Sequence, residues 1–157
     1  MADYFLKIDG IAGESQDPRH LGEIEVESFS WGETHVAQAA GATGAGRPTI
    51  QDFHVMKRID KASPRLMLAV ASGQHFTSAV LTAQRPGTQP QEYLTFTLGD
   101  LMVSSYQIEA PAGQPWPVDQ VSFSFGRIEM TYRPQRPDGT LDAPVNAGWD
   151  VTANHKI

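Results

Sequence analysis

The residues in this chain that could do chemistry are few, and they are poorly spaced for it. Five histidines, His20, His35, His54, His75 and His155, stand singly, with no HxH or HExxH spacing to bring two imidazoles onto one face. Ser72, Ser104 and Ser105 lack the GxSxG elbow that exposes a hydrolase serine, and read as cap or strand residues. There is no cysteine, which excludes disulfides, thiolate nucleophiles and thiolate metal ligands. Gly41 to Thr49, GATGAGRPT, has the glycines of a phosphate-binding loop, but it lacks the Lys-Ser/Thr pair and leads into strand pattern rather than a helix. Glu23, Glu25 and Glu27 recur at period two, crowding three carboxylates onto one strand face. That row can be read as a mimic of a glycosidase pair, as a solvated edge that resists unwanted pairing, or as the partner of a basic row on a neighbouring copy drawn from Lys57, Arg58, Lys61 and Arg65. Trp31 and Trp149 sit inside strand patterns where core packing is their ordinary use. Trp116, between two prolines, is the tryptophan free for recognition. No catalytic, cofactor or metal site follows, and the surviving recognition reading is a monomeric β-barrel binding module for carbohydrate or peptide built on Trp116.

The elements that would position these residues are mostly strands. A chain of 157 residues fits one domain with a substantial core. A net charge of −6 argues against nucleic acid or anionic membrane as the main partner, and no apolar run reaches membrane length. The N-terminus has no basic region followed by an apolar run, so no Sec-type signal is expected. One helix is predicted from Pro64 to Ser72, with Ser63 as its cap, Pro64 at its first position and Gly73 just past its end. Leu66, Met67, Leu68, Val70 and Ala71 sweep an arc wider than half its circumference, leaving Arg65, Ala69 and Ser72 outside, so the helix wants contact on two sides.

Alternating patterns predict strands at Asp3 to Asp9, Glu23 to Gly32, Thr49 to Arg58, Thr77 to Gln84, Glu92 to Leu98, Leu101 to Glu109, Val118 to Arg133 and Trp149 to Asn154. Gly99-Asp100 is a tight-turn candidate, and a bulge at Gly126 would explain why the apolar parity of Val121, Phe123 and Phe125 passes to Ile128, Met130 and Tyr132. A similar change separates Ile24 and Val26 from Phe29 and Trp31. The Ala/Gly-rich run from Glu33 to Pro48 is a long loop that can order only against something else. The predicted class is mainly β: an antiparallel β-barrel of two packed sheets with one short helix.

Several long stretches together resemble one family. GESQDPRH followed by EIEVESFSWG, then QDFHVMKRIDKASPRLMLAVASGQHF, EYLTFTLGDLMVSSY, MTYRPQRPDG and GWDVTANHK are similar to the haemolysin-coregulated (Hcp) tube protein of type VI secretion systems, across nearly the whole chain. The resemblance implies a small barrel flanked by a helix, six copies of which close into a ring, with rings stacking into a hollow tube. It implies a contractile sheath, a spike protein at the tip and secreted effectors in the lumen as partners, and residence in the bacterial cytoplasm before firing and outside the cell after it. It places subunit contacts on the loop at Val36, Ala39, Ala40, Gly41, Ala42, Gly44 and Arg47. The over-apolar helix adds Leu68. Alternation opposite Phe29 and Trp31 offers Ser28 and Ser30 as lumen residues. Six copies at −6 each carry −36 per ring, so stacking should respond to salt.

Overall fold

A computed structural model describes residues 3–36 and 46–157. In it β1 (Tyr4–Ile8) lies between β2 (Ile24–Val26) and β7 (His75–Arg85), antiparallel to both. The chain bends at Glu27, and β3 (Ser28–Ser30) leaves β1 to pair with β6 (Phe53–Arg58), while the Glu27 N–H donates to the Met56 carbonyl at 2.8 Å. This change of partner accounts for the parity switch read in the sequence. Ile24 and Val26 are buried against β1, and after the bend it is Phe29 that turns onto the core. β6 pairs with the first half of β9 (Val118–Tyr132), β8 (Gln91–Glu109) runs between β9 and β7, and the second half of β9 carries β10 (Val145–Asp150) and then β11 (His155–Lys156). These nine strands thus belong to one hydrogen-bonded sheet. A two-residue pair, β4 (Glu33–Thr34) with β5 (Thr49–Ile50), stands at the base of the Ala/Gly-rich loop.

Two predicted features are corrected. Gly99-Asp100 is not a turn, since β8 continues through it as one 19-residue strand. Gly126 is not a bulge: the pairing Leu101↔Phe125 continues as Gly99↔Arg127, and the register shift in this ladder falls at Ser104 instead. All three central strands change buried parity at that level, from Phe76 to Ala79, from Leu101 to Leu98 and from Phe123 to Ile128. The backbone accommodates the change at Asp100, whose φ of 49° is tolerable for a short polar side chain.

The core is aromatic at its centre. Phe53 stacks on Phe29 with 5.9 Å between ring centroids and meets Phe96 edge-on at 5.3 Å. Trp31 leans on Phe96 and Phe125, its indole N–H donating to the Gln51 carbonyl at 2.8 Å, and Trp149 packs on the same cluster. Each fully buried ring or branched side chain contributes on the order of 1.5–3 kcal/mol.

The helix α1 (Ser63–Ser72) begins one residue earlier than the sequence predicts, and Gly73 ends it in the left-handed conformation, as expected. Ser63 is not its cap: Ala62 occupies that position, and the Ser63 hydroxyl is drawn into a buried cluster below. Ala69, predicted to lie outside the packed arc, is fully buried with Ser63 and Leu66, because a methyl group lets the helix approach β8 closely.

Candidate assembly and lumen surfaces

Three surfaces stand out once the core is accounted for. The first is a concave polar wall across β3, β6, β9 and β8. Strand register aligns two rows on it: Ser30, His54, Ser122 and Ser105 in one, and Ser28, Met56, Gln120 and Gln107 in the other. Together they line an open hollow of about 550 Å³. The neighbouring positions Phe29, Val55 and Val121 point the other way into the core, so alternation alone builds the wall. His54 Nδ1 and Ser122 Oγ are hydrogen-bonded at 2.6 Å, tying β6 to β9 at the centre.

The second surface is the helix face opposite Leu66 and Ala69. Met67 is 57% exposed and Leu68 is 60% exposed, a costly display of apolar area for a ten-residue helix that is otherwise docked. The third continues the core side of the sheet beyond the core. Ile128 and Trp149 are direct partners and both pack inward, while further along the same ladder Met130 faces Ala147 and Tyr132 faces Val145 with nothing over them. The sheet therefore carries its apolar side past the point where the opposing layer ends.

Under the polar wall lies an ion cluster that the sequence reading missed. Lys57 is fully buried, with Nζ 2.7 Å from Asp60 and 3.1 Å from Asp119, and it donates to Ser63 at 3.0 Å. The same Asp119 oxygen accepts from the Ser63 hydroxyl at 2.6 Å and from the Tyr106 hydroxyl at 2.8 Å. Burial, followed by the hydrogen bond to Asp119, pushes the Tyr106 phenol up to about 12. The signal was available: Phe53, Val55 and Lys57 share one strand parity, so Lys57 had to point inward. It therefore cannot belong to an outward basic row, and Arg58 is paired with Glu27 of its own chain at 3.2 Å.

The other predicted residues are placed as follows. Ser28 and Ser30 are exposed on the wall; Val36, Arg47 and Leu68 are exposed at the surface; Ala39, Ala40, Gly41, Ala42 and Gly44 lie outside the described residues. Trp116 is half-exposed with the Arg58 guanidinium over its ring at 5.6 Å, so its face is partly occupied. His20 is buried, stacked on Phe5, with Nδ1 3.0 Å from Glu23. Its Nε2 lies 2.7 Å from Glu92 but outside hydrogen-bonding geometry.

What this fold and these surfaces define is a mainly β protein with two uncovered apolar faces and an open polar wall. Residues 5–132 match the family described as type VI secretion system effector, Hcp. Protein hcp1 of Pseudomonas aeruginosa is 38% identical over 156 residues, 97% of this chain and 96% of that protein. Hcp1 from Salmonella typhimurium superposes with a TM-score of 0.81 at 34% identity over 100% of both chains, and a type six secretion system protein of solved structure with a TM-score of 0.92 at 28% identity, again over 100% of both. The chain belongs to the Hcp family, and its function is that of a type VI secretion tube protein.

Proposed function

We propose that six copies of this chain close into a ring through a heterologous contact, the Met67–Leu68 helix face of one copy covering the Met130, Tyr132 and Val145 side of the next. The observation that carries the reading is the uncovered helix face, since Leu68 is 60% exposed opposite a fully buried face of the same helix. Two different patches on one molecule generate a ring when their rotation closes, and stacked rings make the tube. The loop through Val36 to Arg47, including Ala39, Ala40, Gly41, Ala42 and Gly44, extends the contact to a neighbouring subunit. In this arrangement the polar wall with Ser28 and Ser30 faces the lumen and holds secreted effectors.

The protein acts without catalysis, in a cytoplasmic assembly with a spike at the tube tip and a contractile sheath around it, before export. Light scattering on the purified protein tests the core of the reading. The expected mass is about six times that of the chain; a sharp monomer at high concentration would instead support the monomeric module built on Trp116.

A further inference from the structure

We propose that His54 sets the charge of the polar wall, so that the hollow holds acidic polypeptide when the imidazole is protonated and releases it when the imidazole is neutral. The inference rests on the reading of this wall as the lumen surface. Among the eight side chains in the two rows, His54 is the one with an ionisable group; the other seven are serine, glutamine and methionine. It stands at the centre of the wall rather than at its margin. Its Nδ1 is engaged by Ser122 at 2.6 Å, which holds the ring against β9 in either protonation state and leaves Nε2 for whatever enters the hollow.

None of the charged groups on the surrounding strands forms an ion pair with His54. Asp119 on β9 is turned inward and taken up by Lys57, Ser63 and Tyr106. At the far end of β6 Arg58 pairs with Glu27 beside β3, and on the other side of His54 Asp52 accepts the Ser104 hydroxyl at 2.6 Å. Glu33 and Glu109, at the outer ends of the flanking segments, are exposed to solvent. Protonation therefore adds a positive charge among the hydroxyls and amides of the two rows, with the Asp52 carboxylate beyond their end, and low-dielectric walls concentrate its field. In a ring the same charge recurs once per copy around the axis, at one height. Neutral imidazole returns the wall to hydroxyls and amides, which bind polypeptide backbone without preference for charge.

The probe is a fluorescein-labelled unstructured peptide of about 20 residues with glutamate at every third position, compared with its glutamine counterpart. Binding to the assembled protein is followed by anisotropy at about pH 5.5 and about pH 7.5, a range in which glutamate stays ionised and imidazole changes charge. The glutamate peptide is expected to bind about tenfold more tightly at the lower pH, and the glutamine peptide equally at both. His54→Gln should abolish the difference. His54→Lys at the higher pH should reproduce the acid-state affinity, which keeps the test valid if acid disturbs the ring. A pH effect that survives in His54→Gln, or none in the unaltered protein while the glutamine peptide still binds, overturns the role of His54 alone. Failure of both peptides to bind an intact ring removes the lumen reading of the wall, and this inference with it.

Discussion

At the scale of single residues, the cluster around Lys57 decides more than any exposed group. An ammonium and a carboxylate that are each fully buried hold one another, so removing one strands the other. Lys57→Met is expected to lower unfolding free energy by about 3–5 kcal/mol in urea denaturation, and Lys57→Met combined with Asp119→Asn to recover part of that loss. A loss under about 1 kcal/mol for the single change would mean that the cluster is not the anchor described here. Tyr106 gives a pH signature. Its phenol, at 10.0 in its ordinary state, is pushed up to about 12 in the fold, so the folded chain keeps a proton that the unfolded chain sheds. The stability this represents is whole below pH 10 and drains away as pH rises towards 12. Tyr106→Phe should therefore cost about 1 kcal/mol near neutrality, and the gap to the unaltered protein should narrow across that alkaline window; a constant gap would show that the hydroxyl and Asp119 are uncoupled. None of this cluster was anticipated, because each member reads locally as something else. Ser63 looks like a cap, Lys57 like a member of an outward basic row and Asp119 like any other residue of a long strand, and what joins Lys57 to Asp119 is long-range register.

At the scale of elements, legibility followed the range of the cause. The helix end at Gly73 and the core placement of Trp31 and Trp149 were readable because short-range pattern determines them. Gly99-Asp100 and Gly126 were misread because both lie at a change of buried parity shared by three strands, and one strand viewed alone shows that change without showing that its neighbours share it. Ala69 was misplaced for a related reason: a methyl group reads as neutral on a helical projection, yet it is what a close helix-to-sheet approach requires. For the candidate site, alternation was enough to turn Ser28 and Ser30 away from the core, but the cross-strand rows that bring His54 and Ser122 beside them could not be read without the register. The helix provides its own internal control. Leu66→Ala should cost about 2–5 kcal/mol of chain stability, since it opens a cavity beneath the helix. Leu68→Glu should change chain stability by no more than about 0.5 kcal/mol while abolishing assembly in light scattering. Retained assembly in Leu68→Glu would remove the helix from the interface.

At the scale of the whole molecule, charge and geometry govern different steps. A ring of six chains at −6 each carries −36, so face-to-face approach of rings is opposed by a field that salt screens. Stacking measured by sedimentation should increase as ionic strength rises from about 0.01 M to about 0.15 M, where the screening length shrinks from roughly 30 Å to roughly 8 Å. In the proposed ring, closure rests instead on apolar cover, and its asymmetry can be tested directly. If the helix face of one copy meets the sheet side of the next, Leu68→Glu spoils one face and leaves the other intact, whereas Val145→Glu does the reverse. Each variant alone should then remain monomeric. Mixed in equal amounts they hold one good pair of faces between them, and because neither can be extended further, the product should stop at a one-to-one dimer of twice the chain mass. An isologous contact predicts something else, since a face that meets its own kind is spoiled in one variant and untouched in the other, so one variant would assemble unaided and mixing would add nothing. A dimer that appears only on mixing therefore identifies the contact as head-to-tail, and its absence would mean that the two uncovered faces do not meet.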